Sequence, residues 1–424
     1  MQQTQDRFED SDMTDIRRSI TKRLMERTQD PTIAARLAET AIHAVGYSIF
    51  NIRNLDLHPA ERLPAVYPAS KSEVAQPVPL GGSRELHVTD LPPVEPLVFN
   101  DLQAQSGSSV FRQGRSALVG AEIYDHLDRV RMDNEYETCI VKGDRVALKR
   151  SDVAKIGRGI CAFGQGSSNW YHWIAEYLPT VILSQSLPSA YDGYPLLVPE
   201  AALTVPSFKD TLDLCRGGRD VVPMKEAQLY EIAELVYMPP QVSGPFNVSA
   251  GNWPEPKDYT QNIDLMHELR NTILNALGIR RTEGGPKKVF LARPPGTRSY
   301  NQEEIITAAQ QRGFEPVRLE KLSFKEQVQL MHNADYVVGP TGAAFTNALF
   351  MHAHSKSLVW ALQEYSGSCF FSNLAHVCGS DMTYCLLNSG TPISDSFEAF
   401  RASYHLPLDM FCHHIDTLLE NERT

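Results

Sequence analysis

Short apolar runs alternate with amphipathic stretches through the second half of the chain. The runs VFLAR (289–293), DYVVG (335–339) and KSLVWAL (356–362) have the length and composition of buried strands. Between them lie segments with apolar residues at three-to-four spacing, such as FKEQVQLMHNA (324–334), which predict helices. Strands that alternate with single helices predict an α/β fold with a parallel sheet and helices on both faces.

Two of the predicted helices carry start signals. Asn301 with Glu304 precedes IITAAQQR, and Ser323 with Glu326 precedes the helix that follows. Each pair has the spacing of a capping box, in which two side chains satisfy the first backbone N–H groups of a helix. We therefore expect helices to begin at both places.

The same rhythm begins near residue 157. GICAF, YPLLVP and LYEIAELVYM read as strands or extended segments, and SNWYHWIAEYL as a helix. The stretch 258–278 predicts a long helix that ends at Gly278. We interpret this helix as a bridge between two Rossmann-like domains that face a cleft.

The first 150 residues follow a different pattern. ITKRLMERTQ and AARLAETAIHAV predict helices, and the following prolines predict an extended connection. ETCIVKGDRVALK predicts a small hairpin. The boundaries that we infer are a helical extension over 1–57, a proline-rich connection over 58–98, a first Rossmann-like domain over 99–257, the bridging helix over 258–278, a second Rossmann-like domain over 279–392 and a partly helical tail over 393–424.

Composition narrows the class of protein. The 424 residues are 42% hydrophobic and 21% charged, which is ordinary for a globular protein. A formal net charge of −11 argues against a nucleic-acid partner but permits a local basic pocket. The N-terminus lacks a signal-peptide pattern, no apolar run is long enough to span a membrane, and seven cysteines without CxxC pairs predict reduced thiols. We expect a cytoplasmic location.

Two segments of the second half fall where α/β proteins bind ligands, beyond the carboxyl ends of strands. Arg293 and Arg298 follow VFLAR, and Gly339, Thr341 and Gly342 follow DYVVG. Glycines let the backbone approach a ligand, a helix N-terminus favours a phosphate, and arginines neutralise a diphosphate. The alternative is a plain turn with solvated arginines, because the motif is neither GxGxxG nor a Walker A loop.

A third segment, GQGSSNWYHWIAEYLP (164–179), leads from a glycine-rich loop into a helix. His172 and Glu176 are four residues apart and share a helix face. A carboxylate beside an imidazole fixes its tautomer and raises its basicity, which suits a general base. The alternative is that Trp170 and Trp173 are core residues around a buried histidine.

A metal site is not expected. The only Asp-x-Asp pattern, Asp10-Ser11-Asp12, lies in a polar tail with no strand before it. Without such a site, the arginines and the helix N-terminus must stabilise a leaving diphosphate.

Several ordered blocks resemble one family. NWYHWIAEYLP resembles the N-x-x-H-W-x-x-(D/E)-x-L-P motif of family 61 glycosyltransferases, the DUF563 group. VFLAR with the RSYNQEE segment from Arg298 resembles a later block of that family. LEKLSFKEQVQLMHNADYVVGPTGAAFTNALF resembles a third, in the same order. The resemblance covers roughly residues 140–390.

This resemblance implies a GT-B fold and metal-independent, inverting transfer of a sugar from a nucleotide donor, with no cofactor. It further implies a glycan or lipid-linked glycan acceptor and, in bacteria, a role in capsule, exopolysaccharide or lipopolysaccharide synthesis. Peripheral contact with the inner face of a membrane and a homodimer both stay open. The candidate site comprises the catalytic pair His172 and Glu176, the donor-side residues Arg293, Arg298, Asn301, Gly339, Thr341, Gly342, Ala343 and Asn347, and the acceptor or cleft residues Asn169, Trp170 and Trp173.

Two positions depart from the family pattern. Thr341 stands where the family has histidine, and Trp360 stands where an acidic residue would hold a ribose, with Glu364 the nearest acid downstream. An inactive relative that binds a nucleotide sugar or glycan as a partner subunit is therefore the alternative. The strand–helix alternation also permits an NAD(P)-dependent oxidoreductase, although the missing GxGxxG argues against it.

Overall fold

The computed structural model describes residues 43–44, 46–129, 138–244, 248, 251–295, 298–390, 392–394 and 396–420. The two stretches that predict N-terminal helices lie outside these residues, apart from 43–44, which are helical. The last described part of the expected extension, Tyr47–Asn54, is a β-strand.

The strands form two large sheets and two small two-stranded ones. Their bounds are β1 Tyr47–Asn54, β2 Glu61–Arg62, β3 Ser70–Ala75, β4 Val78–Pro79, β5 Leu86–Leu91, β6 Leu97–Gln105, β7 Phe111–Gln113, β8 Ser116–Val119, β9 Thr138–Lys142, β10 Arg145–Lys149, β11 Val153–Cys161, β12 Leu196–Pro199, β13 Val221–Met224, β14 Leu229–Tyr237, β15 Val242–Ser243, β16 Thr260–Gln261, β17 Lys288–Leu291, β18 Glu315–Val317, β19 Tyr336–Pro340, β20 Lys356–Leu362 and β21 Asp381–Leu387.

Helices cover the sheets and cross between parallel strands. Helix α2 is continuous but changes its winding, with an α-helical turn at Trp170–His172, a π-helical turn at Trp173–Tyr177 and an α-helical end at Leu178–Leu183. The other α-helices are α1 Ala121–Tyr124, α3 Ala201–Thr204, α4 Pro206–Cys215, α5 Ile263–Leu277, α6 Gln302–Gln310, α7 Phe324–Asn333, α8 Phe370–Cys378, α9 Ser396–Arg401 and α10 Leu408–Glu420, and 3-10 helices occur at Ser184–Ser186, Ser189–Tyr191, Pro256–Asp258, Leu319–Lys321, Ala343–Phe350 and Gln363–Tyr365.

The first sheet is mixed, with the order β13-β12-β11-β14-β6-β7-β8-β1-β10-β9, and β2 adds to β6. Its first four strands are parallel to one another, with α2 between β11 and β12 and with α3 and α4 between β12 and β13. Strands β1 and β8 form a further parallel pair. Strands β6, β7 and β8 are antiparallel neighbours, as are β9 and β10. Short turns link them, and a short turn can join only antiparallel strands. The prediction of a parallel sheet thus holds for only part of this half.

The parallel part of the first sheet has a switch in strand order. Counted from β11, its strands run 3-2-1-4, so the chain moves in opposite directions on either side of the gap between β11 and β14. Crevices at such points are the usual ligand sites of open α/β sheets.

The second sheet is parallel throughout, with the order β18-β17-β19-β20-β21-β4. Counted from β17, the first five strands run 2-1-3-4-5, so its switch point lies between β17 and β19. The sixth strand, β4, comes from the proline-rich segment near the start of the chain. The α/β class that the sequence predicts is confirmed.

The segment over 58–98 contacts both sheets. Strand β2 pairs with β6 of the first sheet and β4 with β21 of the second. Between them, β3 pairs with β5 and is fixed to α8. The backbone N–H of Ala75 donates to Oδ1 of Asn373 at 2.8 Å, and the hydroxyl of Ser372 donates to the Ala75 carbonyl at 2.6 Å.

Three helix boundaries can be compared with the sequence. Ser323 and Glu326 form the expected capping box, and Gly278 ends α5 in the left-handed conformation with φ 65°. The capping box expected at Asn301 is wrong, because its side chain makes no cap hydrogen bond. Instead, the Asn301 side chain forms two hydrogen bonds with the backbone of Leu406. Its Nδ2 donates to the carbonyl at 3.0 Å, and its Oδ1 accepts from the N–H at 2.9 Å.

One apolar cluster extends through both halves of the described structure. It includes Trp173 of α2, Leu265 of α5 and Phe345 of the Ala343–Phe350 helix. Arg270 of α5 also donates to the carbonyls of Leu349 and Met351, both at 2.8 Å. The bridging helix therefore holds the 3-10 helix that follows β19. None of the described helices is long and apolar enough to cross a membrane.

Candidate active site

Helix α2 holds the His172–Glu176 pair. Asn169 caps the helix, since its side chain accepts from the Tyr171 N–H at 2.9 Å. Nδ1 of His172 lies 2.8 Å from Oε2 of Glu176, and their side chains are 16% and 12% exposed. A carboxylate can only accept, so Nδ1 carries the proton and the neutral ring has its lone pair on Nε2. Glu176 lies in the π-helical turn that begins directly after His172, and such turns often mark functional sites.

The glycine-rich loop before α2 lies directly against this pair. Gly166 has φ +72°, and a Cβ there would lie 2.6 Å from Cδ2 of His172. A Cβ on Gly164 would lie 2.5 Å from the hydroxyl of Tyr177, which donates to the Gln165 carbonyl at 2.7 Å. The loop thus fixes one side of the imidazole, and it needs glycine to do so.

The two remaining first-half candidates, Trp170 and Trp173, and Asn347 of the second half take different places. Trp170 is partly exposed, and its Nε1 donates to Oδ1 of Asn347 at 3.3 Å. The sequence predicts Trp173 at the cleft, whereas the structure places its side chain in the core, fully buried and bonded to Thr211 at 2.8 Å. Asn347 is buried as well, and its Nδ2 donates to Gln327 at 3.1 Å.

Two arginines converge on the glycine turn at the switch point of the second sheet. Arg293 donates to the carbonyls of Arg298, at 2.8 Å, and of Thr341. A Cβ on Gly342 would lie 3.8 Å from an Nη2 of each arginine, so both guanidinium groups face the turn. Neither forms an ion pair with a carboxylate of the described residues.

The electrostatics of Arg298 are unusual. Burial and the neighbouring charge of Arg293 lower its pKa to about 10. The centroid of the Phe400 ring lies 3.9 Å from Cζ of Arg298, and this cation–π contact partly stabilises the buried charge. Two unpaired cations side by side create a positive potential that an anion would relieve.

A cavity of about 150 Å³ lies at this place, at the carboxyl ends of β17 and β19. Both arginines line it, together with Gly342, Ala343 and one acid, Glu320. The arginine and turn candidates are therefore brought together, as expected from their positions after neighbouring strands.

A second cavity, of about 60 Å³, joins the two halves. His172 and Asn169 line one side, and Thr341 and Ala343 line the other. Tyr365 also lines it, and its buried hydroxyl has no hydrogen-bond partner among the residues that the structure describes. Burial raises the pKa of Tyr365, so this phenol is neutral at physiological pH. The pair on α2 and the glycine turn thus share one space.

Other donor-side candidates support the backbone, and of these Thr341 also lines the second cavity. A Cβ on Gly339 would lie 3.0 Å from Cβ of Leu291, so this glycine permits the close approach of β19 to β17. Asn301 holds the C-terminal segment at Leu406, as described above. Thr341 donates its N–H to the carbonyl of Trp360 at 2.8 Å.

The two positions that depart from the family pattern have clear places. Trp360 is fully buried and contacts the rings of Phe290 and Phe411 in the core. Glu364 lies in the next turn of chain, and its buried Oε2 has no hydrogen-bond partner within the described part of the chain. An acid is therefore present at this sheet edge, four residues after the expected position.

Sequence reasoning missed Tyr365, Phe400 and Tyr404, which surround the arginines. The C-terminal segment brings Phe400 onto Arg298, and Tyr404 donates its N–H to the Ser299 carbonyl at 3.2 Å. No local pattern marks these residues, because only the path of the tail brings them here. Among the described residues, no group of three or more His, Cys, Asp or Glu could hold a metal ion.

Comparison with known families gives the class of protein. The matched family is one of glycosyltransferases, which supports glycosyltransferase activity for this chain. The family is Glycosyltransferase 61, and its model matches residues 170–358, a little under half of the chain. That segment begins at α2 and ends on β20, so it contains His172, Glu176, both arginines and the glycine turn. No curated protein is significantly similar to the chain.

Proposed function

We propose that the protein is an inverting, metal-independent glycosyltransferase that moves a sugar from a nucleotide donor to a glycan or glycolipid acceptor. One observation carries this proposal. The unpaired guanidinium groups of Arg293 and Arg298 lie at the switch point of the second sheet, and His172 shares a cavity with the adjoining turn. An anion site next to a carboxylate-supported imidazole is what transfer from a sugar diphosphate requires.

In the proposed reaction, Nε2 of His172 takes the proton of the acceptor hydroxyl. The acceptor oxygen attacks the anomeric carbon of the donor, and the bond from that carbon to the diphosphate oxygen breaks. Glu176 orients the ring and stabilises the imidazolium, or serves as the base itself. A positioned base contributes roughly 10²- to 10⁴-fold to rate.

Arg293 and Arg298 stabilise the charge that develops on the leaving diphosphate. The first N–H groups of the Ala343–Phe350 helix add to this effect, because this helix begins directly after Gly342 of the same turn. Fixed donors of this kind commonly supply the largest electrostatic contribution to catalysis. The reaction needs no divalent cation because the two guanidinium groups supply the positive charge.

The proposal includes a GT-B arrangement, in which the first half binds the acceptor and the second half binds the donor. Its support is that each half has a parallel region with its own switch point, and that α2 lies where the two meet. The resemblance of the motifs adds a role in surface polysaccharide synthesis, in the cytoplasm or at the inner face of the membrane.

Nucleotide-sugar binding and turnover test the proposal. Thermal shift against UDP-, GDP-, CMP- and dTDP-sugars identifies the donor, and transfer or hydrolysis is then measured for the sugar that stabilises the protein. His172→Ala and Glu176→Ala should each lower kcat by about 10²-fold or more while donor binding persists. Near-normal turnover of both variants would show that the base lies elsewhere.

The second candidate is an inactive relative that binds a nucleotide sugar as a partner subunit. The observation behind it is that Thr341 and Trp360 replace a histidine and an acid. Glu364, whose buried Oε2 has no hydrogen-bond partner in the described residues, favours the active enzyme, since it places an acid at the same sheet edge. Binding without transfer or hydrolysis, across the whole donor panel, would favour the inactive relative.

A further inference from the structure

A third cavity, of about 90 Å³, lies at the switch point of the first sheet. Cys161 and Phe163 reach it from the end of β11, and Tyr237 and Met238 from the end of β14. These strands are parallel neighbours on either side of the change in strand order. The cavity thus has the position at which open α/β sheets bind ligands, and the reaction described above does not use it.

Glu176 connects this cavity with the proposed reaction centre. Its side chain lines the 90 Å³ cavity, whereas His172, bonded to it at 2.8 Å, lines the cavity next to Thr341. A molecule in the 90 Å³ cavity would therefore touch the carboxylate of Glu176, which orients the imidazole of His172. This arrangement suits the acceptor, which must approach from the side opposite the donor phosphates.

The lining defines the chemistry of the ligand. Aromatic rings form part of the lining. The ring centroid of Phe111 lies 6.3 Å from that of Phe163 and 5.7 Å from that of Tyr237. Uncharged polar groups such as Thr180 and Ser243 are also present. Apolar rings with a few hydroxyls match a molecule that has both an apolar face and hydroxyl groups.

Charge excludes a large class of ligands. No Lys, Arg or His is among the described residues that line this cavity, and Glu176 is its acidic group. A phosphate or carboxylate would meet the like charge of Glu176 and, among the described lining residues, no cation, whereas a hydroxyl would find an acceptor in the carboxylate. The arginine cavity has the opposite character, so the two sites sort ligands by charge.

We propose that the cavity between the ends of β11 and β14 binds the uncharged, hydroxylated end of the acceptor, with an apolar sugar face against Phe163 and a hydroxyl on Glu176. The identification of this ligand as the acceptor rests on the proposed glycosyl transfer. Binding of an uncharged glycoside at the cavity does not depend on it.

The test uses the full chain and three kinds of probe. Methyl and octyl glucosides are the uncharged probes, methyl glucuronide is the anionic probe of the same shape, and a nucleoside diphosphate reports on the arginine cavity. We expect the glucosides to bind and the glucuronide to bind at least about tenfold more weakly, because one unfavourable charge contact is worth about that factor. Ligand-observed NMR titration measures all three.

Two variants assign the site. Ser243→Phe fills the cavity, and Glu176→Gln keeps its shape while removing the charge. Ser243→Phe should weaken glucoside binding by about tenfold or more, and Glu176→Gln should reduce the preference for glucoside over glucuronide. Arg298→Met is the matched control, which should weaken nucleoside diphosphate binding and leave glucoside binding unchanged.

The outcomes separate this inference from the proposed function. No glucoside binding, equal binding of glucuronide, or loss of glucoside binding in Arg298→Met instead of Ser243→Phe would each overturn the acceptor cavity. Glucoside binding that follows the expected pattern without sugar transfer from any donor would retain the cavity and reject the enzyme. If Ser243→Phe fails to fold, the probe selectivity of Glu176→Gln still decides the matter.

Discussion

The indole Nε1 of Trp170 donates to Oδ1 of Asn347 at 3.3 Å, and this bond joins the two segments that carry the candidate chemistry. Trp170 begins the helix of the His172–Glu176 pair, and Asn347 lies in the 3-10 helix after the glycine turn. The second amide atom of Asn347 donates to Gln327 of α7. The distance between imidazole and turn is therefore fixed by a side chain from each half.

Removal of the bond between Trp170 and Asn347 should lower activity by more than the accompanying loss of stability explains. Trp170→Phe keeps an aromatic ring against Phe208 and Phe324 but leaves the buried Oδ1 of Asn347 without its donor. We expect a loss of about 1–2 kcal/mol in the free energy of unfolding, measured with urea, and a clear fall in kcat/KM. Trp173→Phe is the control, because its lost bond to Thr211 lies within the first half. An equal fall in kcat/KM for both variants would contradict a special role for the contact between halves.

Gly166 should be needed for the orientation of His172. In Gly166→Ala, the new methyl would lie 2.6 Å from Cδ2 of the imidazole, so the ring must turn away from Glu176. Gly81→Ala has a similar positive φ, +78° against +72°, but its Cβ would meet nothing within 4 Å. Both variants should lose about 1–2 kcal/mol of stability from backbone strain, and only Gly166→Ala should lose kcat. Full activity of Gly166→Ala at a permissive temperature would show that the ring position is not critical.

Arg293 and Arg298 should destabilise the folded protein when no anion is bound beside them. Burial and Arg293 hold the pKa of Arg298 at about 10, below its ordinary 12.5, so the folded state disfavours the charged form that exists at pH 7. This penalty is present below about pH 10 and is relieved as the pH rises from there toward 12.5. Arg298→Met should therefore raise the melting temperature of the unliganded protein, by an amount equivalent to about 1 kcal/mol, and abolish stabilisation by nucleoside diphosphates.

Arg312 provides the contrast for that measurement. It is paired with Asp416, and the bond raises its pKa. Arg312→Met should lower the melting temperature and leave the response to nucleoside diphosphates intact. If Arg298→Met lowers the melting temperature as much as Arg312→Met does, Arg298 is a structural residue rather than a ligand-binding one.

His332 should make the fold sensitive to mild acid. Its Nδ1 lies 3.0 Å from the Phe350 carbonyl, and burial lowers its pKa below 6.5. As the pH falls through 6.5, the unfolded chain takes up this proton before the folded chain does, so stability decreases with acidification. His332→Gln keeps a donor for the carbonyl and removes the titration. Urea unfolding on either side of pH 6.5 should show a shallower pH dependence in the variant, and an unchanged slope would assign the effect to other groups, such as His267, whose pKa burial also lowers.

Local sequence signals predicted those elements that depend on neighbours in the chain. Ser323–Glu326 and Asn301–Glu304 have the same spacing, yet only the first pair forms a capping box. The Asn301 side chain is used by the backbone of Leu406, which arrives from the C-terminal segment. A rule based on local spacing cannot predict that a distant backbone segment will use the same side chain. The same reason hides Phe400, whose place over Arg298 depends on the path of the tail.

The site was partly predictable for a topological reason. Arg293 and Gly342 follow strands that are neighbours in a parallel sheet, and the carboxyl ends of such strands meet at one edge. The first-half cavity was not predictable in this way. Its walls include Phe111, from an antiparallel part of the first sheet that strand–helix alternation does not describe.

Strand β4 of the second sheet is synthesised long before its partner strand β21, so the edge of this sheet can be completed only late in translation. Val78 and Pro79 leave the ribosome early, but their partners, Thr383 and Tyr384, are among the later residues to be synthesised. During elongation the segment that carries β4 must wait without its partner, while β2 can already pair with β6. Until β4 docks, β21 presents an open edge of backbone donors and acceptors that invites pairing between nascent chains. A fragment that begins after β4 should inherit this defect and aggregate, however well its nucleotide site is formed.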